Sequence, residues 1–208
     1  MKVYTIVVGK LPNCTYVIEN DGAAILIDPA WDLEKIYEIL ETQKLTPKAA
    51  LFTHGHYDHL TNASKLLEHF NIPAYIEQAD EEMSGLPVKY LKTFKGDQEK
   101  EIAGLKIKFL HTPGHSPGST CYYTEGLLFS GDTLFPGAVG RTDLPGSDNA
   151  QMQRSLERLS KLPPDTIVYS GHPYGSDGGA ATTIGKEVKT NPFMRLALED
   201  PKAFDEML

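Results

Sequence analysis

Thr53-His54-Gly55-His56-Tyr57-Asp58-His59 is the stretch on which the reading of this chain turns. Three of the seven histidines and one aspartate fall within six residues, directly after an apolar run (residues 49–53) that reads as a short buried strand. Imidazole nitrogen and carboxylate oxygen are donors that zinc and related divalent cations accept. A turn at a strand end aims neighbouring side chains in different directions, and Gly55 removes the side chain that would crowd such a turn. The bland alternative, a solvated loop that gathers three histidines by chance, is improbable in so histidine-poor a chain. The segment is therefore expected to bind metal.

Four donors so close in sequence do not surround two ions alone, so more are expected elsewhere. His115 lies in Thr112-Pro113-Gly114-His115-Ser116-Pro117-Gly118-Ser119, Asp132 in Phe129-Ser130-Gly131-Asp132-Thr133, and His172 in Tyr169-Ser170-Gly171-His172-Pro173. Taken singly, each has an ordinary explanation as a turn residue. The repeated order of strand, glycine, then His or Asp joins them into one expected site on the rim of a rigid scaffold. His69, at the end of an amphipathic helix, is expected at solvent or capping that helix, and His111 in a structural role.

Working outward, residues 4–8, 14–18 and 23–27 read as an antiparallel meander, with Asn20-Asp21-Gly22 in the second turn. Asp32 is placed to cap a helix with Leu33, Ile36, Ile39 and Leu40 inward. Residues 62–70 form a second helix and 74–76 a strand, while residues 84–97 read as an irregular boundary or a loop over a site. Strands then return: a hairpin turning at Gly104, then residues 120–123 and 127–130. A helix over 149–162, a strand over 166–169 and helical patterns at 183–189 and 201–208 complete the chain. The halves, about 1–98 and 99–208, share this grammar without a sequence repeat, which suggests one domain of two facing sheets with helices outside.

The 208 residues are 40% hydrophobic and 23% charged, as in a globular protein, and the formal net charge of −8 argues against nucleic acid as a partner. Cys14 and Cys121 are expected as buried free thiols. No leader pattern or bilayer-length apolar run is found, so a cytoplasmic chain without membrane contact is expected.

The order His54-x-His56-x-Asp58-His59, then His115, Asp132 and His172, resembles the metallo-β-lactamase superfamily over about residues 3–194. The resemblance implies an α/β fold, a four-layer αββα sandwich of two mixed sheets with helices on both outer faces. It implies two divalent metal ions, zinc first, with iron or manganese as alternatives. One would be held by His54, His56 and His115, the other by Asp58, His59 and His172, with Asp132 bridging. Within the superfamily, Gly131-Asp132-Thr133-Leu134-Phe135, Gly140-Arg141-Thr142-Asp143-Leu144-Pro145-Gly146 and Asn191-Pro192-Phe193 resemble the short glyoxalase II-like hydrolases. That implies a thioesterase for small S-acyl thiols such as S-lactoylglutathione, using a metal-bridging hydroxide that Asp58 and Asp132 orient. Tyr57, Arg141 and Tyr174 are candidate substrate contacts, with Arg141 and Asp143 read first as residues that fix their loop. The chain lacks room for the helical domain that holds glutathione in full-length glyoxalase II enzymes, and its loop at 173–179 is long. The Gly-Arg-Thr-Asp stretch and that loop also resemble the persulfide dioxygenases of the same fold, which implies a single iron on the His56 side with the bridging aspartate. A non-catalytic metal-binding protein is disfavoured, because closed structural zinc sites favour cysteine.

Overall fold

A computed structural model of the chain describes residues 1–176 and 178–208. Asp177, in the long loop after His172, lies outside the described residues. The first half runs β1 (Lys2–Val8), β2 (Asn13–Asn20), β3 (Ala23–Ile27), α1 (Leu33–Thr42), β4 (Thr46–Leu51), α2 (Ala63–Phe70), β5 (Ala74–Glu77), α3 (Glu81–Ser84) and β6 (Leu91–Phe94). The second runs β7 (Gln98–Ile102), β8 (Leu105–His111), β9 (Thr120–Thr124), β10 (Leu127–Gly131), β11 (Leu134–Phe135), β12 (Ala138–Val139), α4 (Asn149–Leu159), β13 (Ile167–Ser170), β14 (Ala181–Thr183), α5 (Ile184–Thr190), α6 (Pro192–Glu199) and α7 (Pro201–Met207).

Two six-stranded mixed sheets result, in the orders β1-β2-β3-β4-β5-β6 and β14-β13-β10-β9-β8-β7. Each opens with an antiparallel meander and then adds a parallel crossover strand, β4 on β3 and β13 on β10. Alternation along the strands sorts the core into layers. In β2, Tyr16 and Ile18 face the other sheet while Val17 faces α1 and α2; in β10, Phe129 faces inward and Leu128 faces α4 to α7. Both faces of each central strand are covered, which explains their nearly continuous apolar sequence. The result is a four-layer αββα sandwich. Two buried tyrosines tie the sheets: Tyr16 of the first donates to the Ser170 carbonyl of the second, and Tyr122 of the second donates to the Phe52 carbonyl of the first.

Several local readings are corrected. The strand expected over residues 49–53 runs instead over Thr46–Leu51 and takes in Pro47. The register slips there, from Ala24 opposite Pro47 to Ile25 opposite Ala49, and this bulge absorbs the missing donor. Residues 84–97 are not irregular throughout, because Leu91–Phe94 adds β6 to the sheet edge. Asp32 stands at the start of α1 but its carboxylate makes no cap; it pairs with Lys35 at 3.1 Å instead. Cys14 and Cys121 are buried free thiols. Among the described residues no helix is long and apolar enough to cross a membrane.

Candidate metal centre

Strand ends and the loops that follow them build the site. β4 leads through Phe52-Thr53 into His54, His56, Asp58 and His59. The β8–β9 loop carries His115. β10 ends one residue before Asp132, and β13 ends two residues before His172. The fold brings all seven together. His54, His56 and His115 form one group, His54, His59 and Asp132 a second, and Asp58, His59 and His172 a third; within each, the donor atoms lie within 4.8 Å of one another.

Hydrogen bonds at the outer ring nitrogens set the histidines. His59 Nδ1 lies 3.0 Å from Asp28 Oδ2, His115 Nδ1 2.9 Å from the Arg141 carbonyl, and His172 Nδ1 2.6 Å from the Pro12 carbonyl. His54 Nδ1 lies 3.0 Å from Thr53 Oγ1, whose own proton goes to Asp28. These acceptors keep the proton at Nδ1 and turn Nε2 inward. His56 is the reverse, with Nδ1 inward and 2.9 Å from His115 Nε2. Asp132 sits between the groups, 3.3 Å from His59 Nε2, 3.6 Å from His115 Nε2 and 3.3 Å from His172 Nε2. Asp58 accepts from Asn13 Nδ2 at 3.0 Å and lies 3.5 Å from His172 Nε2.

Three buried atoms here, His54 Nε2, His59 Nε2 and Asp132 Oδ1, have no hydrogen-bond partner. Buried polar atoms without a partner are costly, and a cation bound among them removes that cost. The mixed nitrogen and oxygen donors, without sulfur, fit a divalent transition metal.

The charges agree. Burial pushes His54 well down and His56 down, toward neutral donors. Burial acts the same way on His172 and His59, but carboxylates overcome it: Asp132 and Asp58 lift His172 to about 9, and Asp132 and Asp28 hold His59 well above the ordinary range. Burial also opposes ionised Asp58 and Asp132, and the neighbouring imidazoles overcome it, so both lie well below ordinary carboxylates. Two buried carboxylates thus call for positive charge, which protons supply until a dication replaces them. At about pH 7, zinc uptake by metal-free protein should expel roughly one to two protons per chain, and affinity should rise as pH climbs toward about 9. Proton counts in weakly buffered indicator solution would check this; uptake without release would contradict it.

Gly171 has no room for a side chain, because a Cβ there would meet Asp132 Oδ1 and the His59 ring. Gly171→Ala should weaken metal binding by about 10- to 100-fold, as measured by competition with a chelating dye. Unchanged affinity would show that this packing does not set the donors.

The substrate candidates separate. Tyr57 is mostly exposed at the mouth, edge-on to Trp31. Tyr174 stacks on His172 with ring centroids 5.2 Å apart and meets Phe135 edge-on. The Arg141 side chain is clamped by Asp143 through bonds of 2.6 and 2.7 Å, while its carbonyl orients His115. His69 stacks on Tyr37 at the surface, and His111 Nε2 lies 2.9 Å from the Pro117 carbonyl, both outside the cluster. A cavity of about 760 Å³ opens over Asp132 and is lined by all three substrate candidates.

Three supporting residues escape the sequence reading. Asp28 holds Thr53 and His59. Asn13 holds Asp58. Asp80, fully buried, accepts from the Gly55 amide at 2.8 Å, the Ser116 hydroxyl at 2.6 Å and the Gly118 amide at 2.7 Å, and so ties the His54–His59 loop to the His115 loop. Asp28 had a signal: like Asp132, it follows an apolar strand. Asp80 had none, lying in the acidic run Asp80-Glu81-Glu82.

Residues 8–172 match the family model of the Metallo-beta-lactamase superfamily. A hydroxyacylglutathione hydrolase, GloC, of Haemophilus influenzae is 32% identical, covering 88% of this chain and 92% of its own length. The crystal structure of BLEG-1 B3 metallo-beta-lactamase is 35% identical with a TM-score of 0.82, covering 93% of this chain and 99% of that one. The crystal structure of ETHE1 from Myxococcus xanthus is 28% identical with a TM-score of 0.88, covering 100% of this chain and 89% of that one.

Proposed function

Because the chain belongs to the metallo-beta-lactamase superfamily, we propose that it is a metal-dependent hydrolase of small-molecule acyl thioesters such as S-lactoylglutathione. The observation that carries this reading is a cluster of seven side chains with inward donor atoms, three of those atoms without a partner, of which His56, Asp58, His115, Asp132 and His172 line an open cavity. His54, His56 and His115 would hold one ion, Asp58, His59 and His172 another, and Asp132 would contact both. Two divalent ions, zinc in the first place, would supply Lewis acidity: a solvent nucleophile ionised near neutral pH and positive charge opposite a developing oxyanion.

The protein's own groups supply the rest. Asp58, ionised and anchored by Asn13, would accept a hydrogen bond from the attacking water and so orient it. Asp132 would help to orient the same water. Neither cysteine serves as a nucleophile, because burial pushes both thiols up to about 11. A thioester suits this site, because a departing thiolate of pKa about 8.5 needs little protonation. The likeness to GloC supports the thioester class.

The test is turnover by protein of quantified metal content. Thiol release from S-lactoylglutathione by protein carrying about two divalent ions is the expected result. Oxygen consumption with glutathione persulfide, by protein carrying one iron, would replace it with the dioxygenase reading to which the Gly140-Arg141-Thr142-Asp143 stretch and the long loop after His172 point. A β-lactam belongs in the panel because of BLEG-1, and preferential β-lactam hydrolysis would also displace the thioester reading.

A further inference from the structure

We infer that this site is built for thioesters with an apolar acyl chain on a carrier that brings no carboxylate into the cavity. The inference rests on the thioesterase reading and narrows it. Ten large hydrophobic residues are exposed on the described surface, and four of them, Leu11, Tyr57, Met83 and Tyr174, rim this one mouth. Such clustering marks a surface that binds something apolar. Below the rim, Phe135 and Val139 continue the wall.

That wall is fixed. Phe135 and Val139 sit on the β11–β12 hairpin, whose Ala138 carbonyl accepts from Asn191 Nδ2 at 3.0 Å and whose Gly137 amide donates to Glu187 at 2.8 Å. Glu187 and Asn191 are fully buried and bonded to each other at 2.9 Å. An acyl chain therefore meets a preformed surface rather than a loop that must order first.

Charge points the same way. The only Lys or Arg among the described residues lining the cavity is Arg141, and the Nε–Nη2 edge of its guanidinium is committed to Asp143. Asp58 and Asp132 face the same space. A glutathione carrier brings two carboxylates, and against them this wall sets one guanidinium whose charge Asp143 already balances. A neutral arm loses nothing here.

Four thioesters decide it: acetyl and hexanoyl groups, each on N-acetylcysteamine and on glutathione, with metal-loaded protein. Each methylene buried against the wall is worth about fourfold. The expected result is a kcat/KM for hexanoyl above that for acetyl by about tenfold or more on either carrier, with the neutral carrier preferred. Val139→Ser, and independently Leu144→Ser on the adjoining loop, should shrink the hexanoyl-to-acetyl ratio. Turnover with no chain-length dependence, or a preference for the glutathione carrier, would overturn the inference and leave the thioesterase reading standing. Turnover of S-lactoylglutathione but of none of the four would likewise overturn the inference alone, and no turnover of any thioester, S-lactoylglutathione included, would overturn the thioesterase reading itself.

Discussion

Asp132→Ala should yield a folded protein that binds fewer metal ions and turns over thioester at less than about 1% of the wild-type rate, a loss of about 2.7 kcal/mol in transition-state stabilisation. Asp132 lies against His59, His115 and His172, which between them belong to all three donor groups, so its loss touches every group at once. The effect on folding should differ. A carboxylate this buried costs solvation energy, and in the metal-free protein the neighbouring imidazoles more than offset it. The metal-free variant should therefore melt below the wild type, and the stabilisation that added zinc gives the wild type should largely disappear. Metal analysis and melting with and without zinc check both halves. A full metal complement with more than about a tenth of the rate would remove Asp132 from the centre of the mechanism.

Asp80→Ala should act through the fold instead, lowering stability by about 3–5 kcal/mol. It strands the Gly55 and Gly118 amides in a buried place, at roughly 1–3 kcal/mol each, and takes one of two partners from the Ser116 hydroxyl, which keeps Ser119. For a domain of this size that is about 10 °C in melting temperature. Metal affinity should fall as well, because the two loops lose their common anchor. Asp80→Asn, which keeps one acceptor, should recover part of the loss. A shift of less than about 1 kcal/mol would mean that the donors find water.

The two predictions mark the border of what the sequence made legible. Asp132 was visible because its signal is local: an apolar strand, a glycine and an acid. Asp80 was invisible because its partners lie 25 to 38 positions away and nothing beside it in sequence requires an acid. The same division runs through the fold. The hairpin at Asp21-Gly22 was readable because its two turn residues need left-handed backbone, φ 48° and 78°, which that pair tolerates. β6 was missed because an edge strand of four residues, Leu91-Lys92-Thr93-Phe94, shows little alternation and owes its conformation to pairing with β5. Arg141 was only half legible: the side chain invites a substrate role, while the useful atom is a carbonyl that any residue would carry.

Tyr16 and Tyr122 give the sandwich a mechanical property. Each grips the backbone of the opposite sheet two residues ahead of a histidine, at Ser170 before His172 and at Phe52 before His54. Any slip of one layer along the other would drag a gripped strand end, and the imidazole just beyond it would move by a similar distance. Shear between the layers and misalignment of the donors are thus a single event, and a phenylalanine at either tyrosine would preserve nearly all the packing while uncoupling the two.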